Sequence, residues 1–152
     1  MGYHVSPQIL LVTGAVDFGE RTRRLLVSAG MGVWVARGAV ACQEYLWKGI
    51  SLAIVDTGLP DGDGFALCRE LRESTPGTDL PVLLLSRSAG MRDAVRGVAA
   101  GARDVLPASV EPASLLRFIR RLLQVMPTDP AEAEVLIAGG DRQDALVIRR
   151  SC

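Results

Sequence analysis

The sequence predicts an α/β fold: a doubly wound, five-stranded parallel sheet in the order 2-1-3-4-5. Three observations carry that expectation. Short, wholly apolar runs recur at residues 9–12, 52–55 and 81–85, as suits parallel strands covered on both faces. Segments with apolar residues at helical spacing alternate with them, and five such β–α units imply helices on both sides of the sheet. Right-handed crossovers then restrict the topology to doubly wound orders such as 2-1-3-4-5.

Each element follows in turn. The first strand is expected at residues 9–12 (ILLV), and the next helix has Phe18, Thr22, Leu25, Leu26 and Ala29 on one side. Gly30 is placed to end that helix. Residues 33–36 (VWVA) form the second strand, and a helix from Val40 to Trp47 ends at Lys48-Gly49. The third strand runs from Leu52 to Asp56, and Asp63 can cap a third helix reaching Leu71. Residues 81–85 make the fourth strand and Met91 to Ala100 the fourth helix. Gly101-Ala102 turns the chain into a short fifth strand, Asp104 to Leu106. Pro112 suits the first turn of a last helix, whose stripe is Leu115, Leu116, Ile119, Leu122, Leu123 and Met126.

Composition narrows the function. The chain has 152 residues, 49% of them hydrophobic, with 17 basic and 17 acidic side chains. That length suits one domain with some extra, and the hydrophobic content argues against disorder. Balanced charge gives no reason to expect nucleic acid or an anionic membrane as partner. The basic clusters Arg21, Arg23, Arg24 and Arg117, Arg120, Arg121 fall at helical spacing and read as solvated helix faces. Cys42, Cys68 and Cys152 are far apart, which suits a reduced cytoplasmic protein better than a disulfide scaffold or zinc site. His4 has no second histidine with which to share a metal. No segment approaches a membrane span of about 18 apolar residues, and the N-terminus lacks the features of a signal peptide.

Asp56 ends an apolar run and is followed at once by TGLPDGDG. A charge is costly inside a sheet, so Asp56 belongs in the crevice above the C-terminal strand ends. Ligands bind in that crevice in open α/β sheets. The residues just after strands 1, 3, 4 and 5 converge there: Thr13-Gly14, Asp56, Ser86 and Ala108.

Over residues 8 to 125 the chain resembles the receiver domain of two-component response regulators, a flavodoxin-like fold. The stretch LAIVDTGLPDGDGFALCRELRE is similar to the family's third strand, phosphoacceptor, loop and helix, and PVLLLS to its fourth strand. GARDVLPASVEPASLLRFIRRLL is similar to its fifth strand and last helix. The resemblance makes Asp56 the phosphoacceptor and Ser86 the switch hydroxyl. It implies a signalling module rather than an enzyme.

The departures are specific. The family's acidic pair, which holds Mg²⁺, falls on Thr13 and Gly14, and its lysine falls on Ala108. Its fifth-strand aromatic falls on Val105. Phosphorylating a carboxylate brings anion to anion, and two unit charges ~4 Å apart repel by about 4 kcal/mol at an effective dielectric of ~20. The expectation is therefore no cofactor, or weakly bound Mg²⁺ held by Asp56, the Gly58 carbonyl and Asp17. Asp17 is read first as the N-cap of the first helix; Asp61 and Asp63 are read as loop and capping residues. Two functions follow. One is a degenerate receiver that acts by protein–protein contact with reduced or absent phosphorylation. The alternative is a receiver phosphorylated on Asp56 by a histidine kinase or phosphotransfer protein.

The expected organisation is a receiver at residues 1–126, a linker at 127–134 and a tail at 135–152. The tail, VLIAGGDRQDALVIRRSC, is similar to the start of the chain. It reads either as the beginning of a second receiver or as a C-terminal appendage. The resemblance implies an output domain or second receiver docking on the face of the fourth helix, fifth strand and last helix. Arg96, Arg117, Arg120 and Arg121 would rim that face, and a homodimer is a further arrangement it suits.

Overall fold

The computed structural model describes residues 6–46, 48–74, 80–88 and 90–123. Along the chain lie β1 (Gln8–Val12), α1 (Val16–Ser28), β2 (Gly32–Ala36), α2 (Ala39–Cys42), a 3₁₀ turn (Gln43–Tyr45) and β3 (Leu52–Asp56). A small hairpin of β4 (Gly58–Leu59) and β5 (Gly62–Asp63) leads into α3 (Gly64–Ser74). Then come β6 (Val82–Ser86), α4 (Met91–Ala99), β7 (Asp104–Pro107) and α5 (Pro112–Leu123). The sheet order is β2-β1-β3-β6-β7, parallel throughout. With the hairpin strands set aside, this is the expected 2-1-3-4-5 order.

The apolar runs form the sheet because they are buried on both faces. Ile9, Leu10, Leu11 and Val12 have no exposed surface, and neither do Leu52, Ala53, Ile54 and Val55. Alternation along each strand sends Leu10, Val12, Ala53, Val55, Val82 and Leu84 into one cluster with Phe65, Leu67, Cys68 and Leu71 of α3. Strand β2 lies at the sheet edge, and four of its five residues are only half-buried. Helix α1 packs on β2, α3 on β3 and β6, and α4 on β7.

The element ends follow local chemistry. After α1, Gly30 adopts φ 90°, and the Met31 N–H bonds the Leu26 carbonyl at 3.0 Å. Gly30 thus ends the helix as expected. Asp63 caps α3 by accepting the Phe65 N–H at 3.0 Å. Three expectations change. The helix expected from Val40 to Trp47 is a single turn, α2, followed by a 3₁₀ turn; Trp47 lies outside the described residues. The N-cap of α1 is Ala15, with Asp17 inside the first turn. Arg120, expected on a solvated face, is 4% exposed, and burial lowers its pKa.

The chain divides into two units between Pro112 and Ala113. Helix α5 begins at Pro112, the last residue of the first unit, as expected, and buries Leu115, Leu116 and Ile119. There Arg121 stacks over the Phe118 ring at 4.7 Å. The linker at 127–134 and the tail at 135–152 lie outside the described residues.

Candidate functional site

Asp56 is the last residue of β3 and pairs in register with Leu85 of β6. It is 4% exposed, so its carboxylate must be satisfied by neighbours. Four donors do this among the described residues. Thr13 Oγ1 donates to Oδ2 at 3.2 Å, and the Gly58 N–H donates to Oδ1 at 3.0 Å. Arg87 supplies the other two, from Nε to Oδ1 at 3.2 Å and from Nη2 to Oδ2 at 3.1 Å. A carboxylate has about four lone-pair positions, and each oxygen here carries two donors.

Each donor is placed by its element. Thr13 follows β1 and is fully buried; its hydroxyl oxygen also accepts the Ala15 N–H at 3.0 Å, at the entry to α1. Gly58 opens the β4–β5 hairpin. A Cβ there would come to 3.0 Å from Arg87 Nε, so the glycine gives the arginine its path to Asp56. Arg87 is the first residue after β6, and its side chain is 58% exposed. The hydrogen bond to Asp56 raises its pKa above the ordinary arginine value.

The sequence-predicted residues are distributed unevenly. Thr13 and Gly58 contact Asp56, Thr13 through its hydroxyl and Gly58 through its N–H. Asp17 is exposed and does not line the cavity around Asp56. That cavity is about 400 Å³ and is lined by Ala15, Phe18, Leu85, Arg87, Ala108 and Ser109 with Asp56. Ala108 thus borders the site without bringing charge to it. Ser86, the end of β6, is 1% exposed. Its hydroxyl donates to Asp93 Oδ2 at 2.5 Å.

Asp61 and Asp63 have structural roles. Asp61 accepts the Ala39 and Val40 N–H groups at 2.8 and 3.1 Å, capping α2 from a distant loop. Those bonds lower its pKa below the ordinary carboxylate value. Asp63, besides capping α3, pairs with Arg96 at 3.3 Å. Arg96 in turn lies over the Phe65 ring at 4.0 Å.

Mg²⁺ prefers near-octahedral oxygen ligands, commonly one or two carboxylates plus waters. Thr13 and Gly14 bring no carboxylate, and the oxygens of Asp56 already carry two donors each. Among the described residues no three His, Cys, Asp or Glu side chains group to hold a metal. The donor set does not fit the ion.

Arg87 and Asp93 are the functional candidates that sequence reasoning missed. The available signal was position alone: Arg87 directly follows the fourth-strand hydroxyl, and Asp93 lies in the first turn of the next helix.

The model of the response regulator receiver domain matches residues 9–120. The chain is 38% identical over 117 residues to the transcriptional regulatory protein GltR of Pseudomonas aeruginosa, covering 76% of this chain and 48% of that one. It is 39% identical over 123 residues to response regulator RppA of Synechocystis, covering 79% and 52%. The chain therefore spans about half the length of these curated relatives. The non-phosphorylated HemR receiver domain of Leptospira biflexa superposes with a TM-score of 0.71 at 27% identity, covering 82% of this chain and 99% of that domain.

Proposed function

We propose, for a chain that belongs to the response regulator receiver domain family, a degenerate receiver that signals by binding protein partners, with phosphoryl acceptance on Asp56 reduced or absent. The observation that carries this reading is the fully occupied Asp56 carboxylate, two of whose four donors come from the guanidinium of Arg87. A nucleophile needs a lone pair aimed at the incoming phosphorus. Here the lone pairs are engaged, and among the described residues no second carboxylate lines the cavity around Asp56 to hold the metal that would relieve the repulsion.

A binding role is supported by α4. Met91, Val95 and Val98 are exposed and lie three and four residues apart, so they share one stripe. An output domain or a second receiver is the partner we place there. The reading is of a binding module without enzymatic activity, working in a reducing cytoplasm. Buried Cys42 and Cys68, whose thiol pKa values are pushed to about 11 by burial, suit that compartment. The receiver is taken as residues 1–126, followed by a linker at 127–134 and a second receiver or appendage at 135–152.

One observation favours the alternative, phosphorylation of Asp56 by a histidine kinase. Arg87 is 58% exposed, so its guanidinium can leave the carboxylate and follow a phosphoryl group.

The two readings separate on treating the chain with acetyl phosphate, and in parallel with beryllofluoride, at millimolar Mg²⁺. Intact mass and backbone amide shifts are then followed. The first reading expects neither a mass gain nor a shift. A mass gain that Asp56→Asn abolishes establishes the second.

A further inference from the structure

The turn between β6 and α4 is held by two carboxylates. Ser86, Arg87 and Ser88 lie in sequence, and their side chains divide between two acceptors. Arg87 reaches Asp56 of β3. Ser86 and Ser88 both donate to one oxygen of Asp93, at 2.5 and 2.7 Å. Asp93 lies in the first turn of α4, where a negative charge also suits the helix dipole. A serine hydroxyl has one proton to give, and the proton of Ser86 goes to Asp93.

We propose that Asp93 is a positioning residue that claims the Ser86 hydroxyl proton and closes the β6–α4 turn from the helix side. The inference rests on the degenerate-receiver reading and deepens it. A phosphoryl group on Asp56 would need the same hydroxyl proton. The chain's own carboxylate therefore closes the turn without a phosphoryl group, and an arriving one would have to compete with it for that proton. The groups facing Asp93 fit this arrangement: hydrogen bonds from the Ser86 and then the Ser88 hydroxyl lower its pKa against the opposing effect of burial, with Arg96 and Arg92 on its own helix adding smaller contributions.

The test uses no phosphodonor, so its outcome is independent of whether Asp56 accepts phosphate. The Asp93 carboxyl carbon is titrated by NMR in the unaltered chain and in Ser86→Ala, Ser86→Thr and Ser88→Ala. The expected result is a depressed midpoint that rises toward the ordinary ~3.9 in Ser86→Ala. It should stay low in Ser86→Thr, which keeps the hydroxyl, and rise less in Ser88→Ala. In the unaltered chain the Ser86 amide should shift with the Asp93 midpoint, a readout that needs no variant. Amide exchange across residues 90–95 should quicken in Ser86→Ala. A Ser86 amide that stays flat through the Asp93 titration, or an Asp93 midpoint unmoved by Ser86→Ala, overturns the proposal.

Discussion

Arg87 closes on Asp56 as a two-pronged fork, with 58% of the arginine side chain exposed and 6% of the aspartate. That asymmetry decides what the pair contributes. Solvent screens the attraction from the arginine side, and exposed ion pairs give only about 0–1 kcal/mol. The buried carboxylate has a stricter need, because an acceptor cut off from water must find donors. The fork therefore matters mainly as satisfaction of Asp56, and it brings a positive charge to a site whose lysine position, Ala108, carries none.

Arg87→Met removes both prongs while keeping most of the side chain's length. Asp56 is then left with Thr13 and Gly58 as donors. The expected loss of stability is about 1–3 kcal/mol, the usual range for a buried polar group deprived of a partner, read by urea denaturation. The freed lone pairs should also make Asp56 more responsive to beryllofluoride. An unchanged denaturation midpoint together with an unchanged response would show that the fork does not hold the carboxylate.

Restoring the acidic pair should succeed at one position and strain at the other. Thr13→Asp sets a second carboxylate beside Asp56, which costs stability without a cation and should recover it with Mg²⁺. Combined with Arg87→Met, it should tighten Mg²⁺ binding at least about tenfold, or ~1.4 kcal/mol, by calorimetric titration. Gly14→Asp fits less well, since a Cβ there lies 3.0 Å from Cδ of Pro60. Adding it should lower stability further. Ala108→Lys has room, because residue 108 borders the cavity of about 400 Å³.

Gly64 stands where α3 starts against the end of β3. A Cβ at Gly64 would run into the Asp56 carbonyl oxygen and lie 2.7 Å from Thr57 Cα. Both obstacles are backbone, so nothing flexible can yield. Gly64→Ala should cost about 1–3 kcal/mol or more, as overpacking does, measured by thermal or urea unfolding. It should also shift the Asp56 amide resonance, because the push falls on that residue's own carbonyl.

The fold was legible because its signals are local. Residues 9–12 and 52–55 are apolar without interruption, and the same residues prove fully buried. Gly30 and Asp63 mark helix ends by chemistry that acts within a few residues. Position alone also located Asp56 at the strand end. The ligands of that carboxylate were less legible. Arg87 lies 31 residues from Asp56 in the chain, and an arginine opening a loop looks like any solvated residue. Arg120 failed in the opposite direction: helical spacing cannot say which face of a helix is covered. Asp61 reads as a turn residue, and only the fold brings it to the start of α2.

That last contact gives a pH-dependent prediction. Asp61 accepts the Ala39 and Val40 N–H groups, and these bonds hold its folded pKa below the ordinary value. A depressed folded pKa means the ionised form binds the fold better than it binds the unfolded chain. The contribution is thus present above the unfolded carboxylate pKa of ~3.9 and fades as pH falls through the folded value. Asp61→Asn should lower the unfolding midpoint at pH 7. The gap between variant and parent should narrow as pH falls below ~3.9. Unfolding curves at pH 7, 5 and 3 test this, with amide exchange at Ala39 and Val40 as the local readout. A gap that stays constant across that range would mean that the charge on Asp61 is not what caps α2.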